Sequence, residues 1–238
     1  LRYQGAFYED FKNKGVTYTV PGHTAIATGV YQRISNSGTN LPKNPSLFQY
    51  YLKSTGAAKN DAYIVASKGK LDVLANTDNK KWHGQFLAAT YCGPNGNGLG
   101  YGKDEKTFAK VTELVTSPNA PHVMLINLLA VDVYGHANNW EKYQQSITAC
   151  DAYAANLWAM IQSNPLMKNQ TTLFITNDHG RHLDGVKSGK SVFFKNLGLN
   201  MKEVLEKYID SNAKVNPKAL HHIYEWSKTG SPDARLYD

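Results

Sequence analysis

Three short stretches concentrate side chains that could attack an electrophile or hold a metal. In VTYTVPGHTAIATG (16–29) a β-branched and aromatic run ends on Thr19, and Pro21 favours the start of a helix. That order predicts a strand-to-helix turn with helix N–H groups pointing past the Thr19 hydroxyl, a geometry suited to an anion such as phosphate. A plain helix-capping threonine is the alternative. In VDVYGHANNW (131–140) Asp132 closes an apolar run and His136 follows four residues on, with Gly135 allowing a turn, a reasonable half-site for zinc. In FITNDHGRHLDG (174–185) Asp178 and His179 adjoin at the end of another apolar run. A buried strand running into Asp-His is costly unless both groups are satisfied, and a metal would satisfy both. His182 and Asp184 read as supporting or surface residues.

The elements needed to present these residues alternate between strand-like and helical patterns, which predicts an α/β fold with a mostly parallel central sheet and helices on both faces. AYIVAS (62–67), HVMLINLLAVD (122–132) and TTLFITND (171–178) are apolar throughout, as strands covered on both faces should be. NPSLFQYYLKSTG (44–56) predicts a helix capped by Asn44, with Pro45 at the first helical position and Gly56 as its stop. DEKTFAKVTELVTS (104–117) keeps Phe108, Val111 and Leu114 on one stripe, and the run from Trp140 to Ser163 places Ile147, Cys150, Ala154, Leu157 and Ile161 near helical spacing. The Gly- and Asn-rich CGPNGNGLGYG (92–102) is a loop. After Gly189 the pattern predicts a helical C-terminal segment, 190–238, beside a domain covering 1–189.

Bulk properties bound the function without naming it. The chain has 238 residues and carries 26 Lys+Arg against 19 Asp+Glu, a formal charge of +7. The basic residues are scattered rather than grouped, so a solvated basic surface is expected and no binding of a nucleic-acid polymer. No apolar run is long enough to span a bilayer. Cys92 and Cys150 form no zinc knuckle or disulfide framework.

Taken in order, Thr-x-Pro-x-His followed by Thr-Gly, then Asp-x-x-Gly-His, then Thr-x-Asp-His-Gly resembles the alkaline phosphatase superfamily, nearest its phosphodiesterase and phosphate-monoesterase branches. The resemblance covers residues 1 to about 189. It implies two divalent metal ions, commonly zinc, with Asp132 and His136 as ligands of one and Asp178 and His179 as ligands of the other. Thr19 is implied as the nucleophile, itself bound to a metal, and a phosphate ester as the substrate. Asn40, in SNSGTN (35–40), falls where the phosphodiesterase branch keeps an asparagine against a phosphoryl oxygen; a turn asparagine is the alternative. Lys68 and Lys70, in SKGK (67–70), resemble a basic pair that some monoesterases aim at phosphate; solvated lysines are the alternative. Sulfatases of the superfamily use a Cys/Ser-x-Pro-x-Arg frame, and Thr-Val-Pro-Gly-His favours phosphoryl over sulfuryl transfer.

Two departures stand against the resemblance. The family's first-strand aspartate would lie upstream of Leu1, and no Gly-His-Gly-like segment supplies its third histidine after Gly189, where only His221 and His222 follow. Together with a short first crossover, these gaps create the expectation that further residues of the protein lie outside the chain. A non-catalytic scaffold is the alternative. A periplasmic or secreted location is expected from family habit.

Overall fold

The structure is a computed structural model that describes residues 5–8 and 15–180. These fall in two compact units, Gly5 with 15–178 in one, and 6–8 with 179–180 in the other. The first unit holds every element named below. Residues 1–3, His182, Asp184, His221, His222, the boundary at 189 and the C-terminal helical segment lie outside the described residues.

The described sheet has three parallel strands in the order β2-β1-β3: β1 (Ala62–Ala66), β2 (Ala89–Cys92) and β3 (Val123–Asn127). The central strand carries the alternation that positions the site. Ala62, Ile64 and Ala66 pack with Phe48, Leu52, Leu71 and Leu74 on one face, while Val65 packs with Val111, Val115, Leu157 and Ile161 on the other. Successive side chains of a strand point to opposite faces, so each residue just beyond β1 is aimed at a different layer.

The first face is covered by α1 (Thr19–Thr28) and α2 (Leu47–Thr55), the second by α3 (Asp104–Val115) and α5 (Trp140–Ser163). The short helix α4 (Ala130–His136) follows β3. This is the α/β architecture with a parallel sheet between helix layers that the alternation predicts.

Several local expectations differ. Residues 16–18 form no strand: Val16 and Tyr18 are exposed, and among the described residues no strand pairs with them. Ser46, not Asn44, is the residue that precedes α2, and Gly56 ends the helix in a left-handed conformation as expected. The apolar run 122–132 is a strand only to Asn127; its second half turns into α4, so Asp132 sits in a helix first turn and not at a strand end. The run 171–178 is irregular chain. Leu173 packs on the second core cluster, but Phe174 and Ile175 are exposed, because a run of apolar residues without ladder partners gains no strand geometry. On α5, Leu157 and Ile161 are buried whereas Ile147 faces solvent.

Candidate active site

Thr19 opens α1 and is 5% exposed. Pro21, two residues further on, lacks an N–H that the first helical turn would leave unpaired in any case. The Val20 N–H in the same turn donates to Asn36 Oδ1 at 2.9 Å. One turn on, His23 is buried beneath Thr19, its Nδ1 2.8 Å from the Thr19 carbonyl and 3.2 Å from Asp178 Oδ2. A carbonyl can only accept, so Nδ1 carries the proton. Nε2 then accepts from the Asn127 amide at 3.1 Å, which ties α1 to the end of β3. Gly22 permits the approach of Asp178: a Cβ there would stand 2.4 Å from the Asp178 carbonyl oxygen.

The next contribution comes from the end of β1. Ser67 and Lys68 continue the strand's alternation, Ser67 toward α3 and Lys68 toward α1. Lys68 is 3% exposed, and its Nζ donates to Thr19 Oγ1 at 2.8 Å and to Asp132 Oδ2 at 2.8 Å. The ammonium therefore bridges the hydroxyl of α1 and the carboxylate of α4. Solvated lysines were the competing reading of SKGK, and burial against a carboxylate excludes it for Lys68. Lys70 donates to Asn36 Oδ1 at 3.1 Å. Burial, then the Lys68 charge, holds the Lys70 ammonium below the usual lysine range, with Asp132 and Asp178 pulling the other way. Two cations and two carboxylates thus share one small volume at the C-terminal ends of β1 and β3, where open α/β sheets place their ligands.

The second oxygen of Asp132, Oδ1, lies 3.3 Å from His136 Nε2, one helical turn along α4. That separation is about the edge of a tetrahedron drawn around zinc with bonds of roughly 2.0–2.1 Å, so this pair fits a divalent ion. Among the described residues no group of three or more His, Cys, Asp or Glu is gathered for a metal. Donors come in pairs, Asp132 with His136, and Asp178 with the Thr19 side of α1. His179 belongs to the other unit, where its Nδ1 stands 3.0 Å from the Gly180 carbonyl.

Among the residues singled out by sequence, Thr19, Lys68, Lys70, Asp132, His136 and Asp178 are connected through these contacts. Asn40 is exposed, and Asn36, four residues earlier in the same loop, makes the contacts to α1 and Lys70. His23, Asn36 and Asn127 were not anticipated. The signal for His23 was present, because Thr-x-Pro-x-His places it one turn from Thr19 on the same helix face. Neither cysteine competes as a nucleophile: burial pushes the Cys92 thiol up to about 12 and the Cys150 thiol to about 11.

A buried threonine at a helix start, a lysine holding it, and the Asp132–His136 pair on the helix after β3 are the groups this α/β site offers for chemistry. A family model described as Metalloenzyme superfamily matches residues 21–223, and the chain belongs to that superfamily, part of the alkaline-phosphatase-like fold. The match begins two residues after Thr19 and runs past 189, so it includes His182, Asp184, His221 and His222. Membership carries divalent metal ions and hydrolase- or mutase-type chemistry. No curated protein and no solved structure gives a match.

Proposed function

We propose that the protein is a phosphoester hydrolase of the phosphatase or phosphodiesterase type, working through a phosphoryl-Thr19 intermediate at a site for two divalent ions, zinc by the chemistry of its donors. One observation carries the reading: the buried Thr19 hydroxyl accepts from an ammonium that also holds Asp132. A threonine serving only as a helix cap needs no such cation.

Asp132 and His136 would hold one ion, and Asp178 would serve the other. Bound there, the ions supply Lewis-acid stabilisation of the nucleophilic and leaving oxygens. The chain's own residues do the rest. Lys68 donates to Oγ1 and lowers the cost of forming the Thr19 alkoxide, whose proton passes to solvent. The alkoxide oxygen attacks phosphorus as the bond to the leaving oxygen breaks, and that oxygen takes up a proton from water. Asn36 accepts from the Val20 N–H next to Thr19 and from Lys70, and Lys70 and Asn36 would donate to phosphoryl oxygens. His23 fixes the Thr19 backbone through its carbonyl, so the hydroxyl keeps its direction. Water then cleaves the new O–P bond and returns the hydroxyl.

Acid quenching during turnover of an aryl phosphate, followed by peptide mass spectrometry, tests this. The peptide containing Thr19 should gain one phosphoryl group in the wild type and in Thr19→Ser, and none in Thr19→Ala. Full turnover by Thr19→Ala would end the proposal, since losing a nucleophile costs on the order of 10⁴ or more in rate.

A further inference from the structure

We propose that Asp104 is a positioning residue that locks the two halves of the site together, and this rests on the reading of Thr19, Lys68 and Asp132 as the reacting centre. By sequence Asp104 is an ordinary acid in the first turn of α3. In the structure it is 7% exposed, and its carboxylate bonds groups outside its own helix. Oδ1 accepts from the Ser67 hydroxyl at 2.6 Å and from the Leu129 N–H at 2.7 Å, and Oδ2 accepts from the Ala130 N–H at 2.9 Å. Thr107 supports the arrangement, its hydroxyl 2.7 Å from that of Ser67.

The two ends of this link lead to the two halves of the site. Ser67 precedes Lys68, the residue that holds Thr19. Leu129 and Ala130 form the start of α4, which presents Asp132 and His136 within the next two turns. Seven residues make a short helix, too short to hold its own position, and its first N–H groups would otherwise be unpaired. One carboxylate therefore sets where α4 begins relative to the end of β1. The Lys68–Asp132 contact closes the same loop from the other side. Asp104 touches neither substrate nor ion and acts only through what it holds.

The test is Asp104→Asn in the full chain, with three readouts: zinc affinity by competition with a chromophoric chelator, kcat and KM on an aryl phosphate at saturating zinc, and a thermal melt. An asparagine keeps one acceptor and turns an NH₂ toward an N–H of α4. Zinc affinity should fall by about 10- to 100-fold, the usual effect of losing a group that orients metal ligands. At saturating zinc, kcat should fall by roughly tenfold or more while KM changes by less than about threefold, because the lost alignment is felt at the reacting atoms. A lowered melting temperature with zinc affinity and kcat within about twofold of wild type would make Asp104 a mere cap and overturn the proposal.

If Asp104→Asn does not fold, Ser67→Ala cuts the other end of the link while leaving the carboxylate on α4. It should lower kcat by about three- to tenfold with zinc affinity unchanged, and an unchanged kcat overturns the proposal. Thr19→Ala run alongside keeps the two readings apart. Normal turnover there with weakened zinc binding in Asp104→Asn removes the nucleophile and supports the positioning role. Abolished turnover there with unweakened zinc binding in Asp104→Asn does the opposite.

Discussion

Replacing Lys68 by methionine removes the ammonium while keeping most of the side chain's length, so packing around the buried stem is retained and the charge alone is tested. Two charge-assisted hydrogen bonds of 2.8 Å disappear, one to the Thr19 hydroxyl and one to Asp132. Breaking a fully buried ion pair from one side costs about 3–5 kcal/mol. The Asp132 side chain is 25% exposed and regains water, which brings the expected cost down to about 1–2 kcal/mol. For a chain of this length that is a fall of about 2–8 °C in melting temperature. The kinetic effect is larger. A donor aimed at a charge that develops in the transition state is worth about 10²–10³ in kcat, or ~2.7–4 kcal/mol. The assay is kcat on an aryl phosphate at saturating zinc and 25 °C, well below the melt, so that loss of fold and loss of chemistry separate. A folded Lys68→Met protein with kcat within about threefold of wild type would refute the assignment of Lys68 to the nucleophile.

Gly22→Ala places a Cβ 2.4 Å from the Asp178 backbone, so Asp178 must move; zinc affinity should fall about tenfold, whereas Gly56→Ala, at φ 68° with open space around it, should cost stability alone. If zinc binds the folded state, adding it at about 100 times Kd should raise stability by about 2.7 kcal/mol, and a chelator should abolish activity that zinc restores; a melt indifferent to zinc argues against the site. Far from this site, burial favours the neutral form of Asp61, but hydrogen bonds from Tyr51 and His122 outweigh it and hold the carboxyl below its usual range. A depressed carboxyl stabilises the fold above its unfolded pKa, and that stability is lost as pH falls through the folded value, so Asp61→Asn should flatten the acid limb of a plot of melting temperature against pH. The hydrogen bond to Asp61, then burial, pushes Tyr51 up to about 12, a stabilisation complete below pH ~10 and lost between there and about 12, which Tyr51→Phe should remove.

Where a signal was local, the sequence was legible. The acids, stripe and ends of α3, the long run of α5 and the apolar core of β1 each follow from a pattern within one element. Thr19 was legible because Pro21 and His23 accompany it. Lys68 was harder to read, since what makes it a buried cation is a hydroxyl 49 residues before it and a carboxylate 64 residues after it. Asp104 failed for the same reason: an acid at the start of a helix already has a sufficient local explanation, and its partners are 37 residues before and 25 after. Asn40 and Asn36 sit in one irregular loop, where spacing does not reveal which side chain turns inward. TTLFITND was misread because strand geometry comes from neighbours, and no apolar pattern contains them.

The glycine-rich loop after β2 bears on how this site can change over time. Its base is welded backbone to backbone against the segment carrying Lys68: Gly69 donates to the Gly100 carbonyl, and Gly102 to that of Ser67. A Cβ on Gly69 or Gly93 would meet the Leu99 backbone at 2.5 or 2.1 Å. Its tip, where Asn95 and Asn97 are exposed, faces solvent. Mutational freedom is therefore divided along a single loop. Selection can rewrite the tip, and with it whatever the rim meets, without displacing the lysine behind it. Any added side chain at Gly69 or Gly93 forces the loop off the cation it supports. Lineages descending from such a chain should diverge at the crest and stay nearly constant at the root.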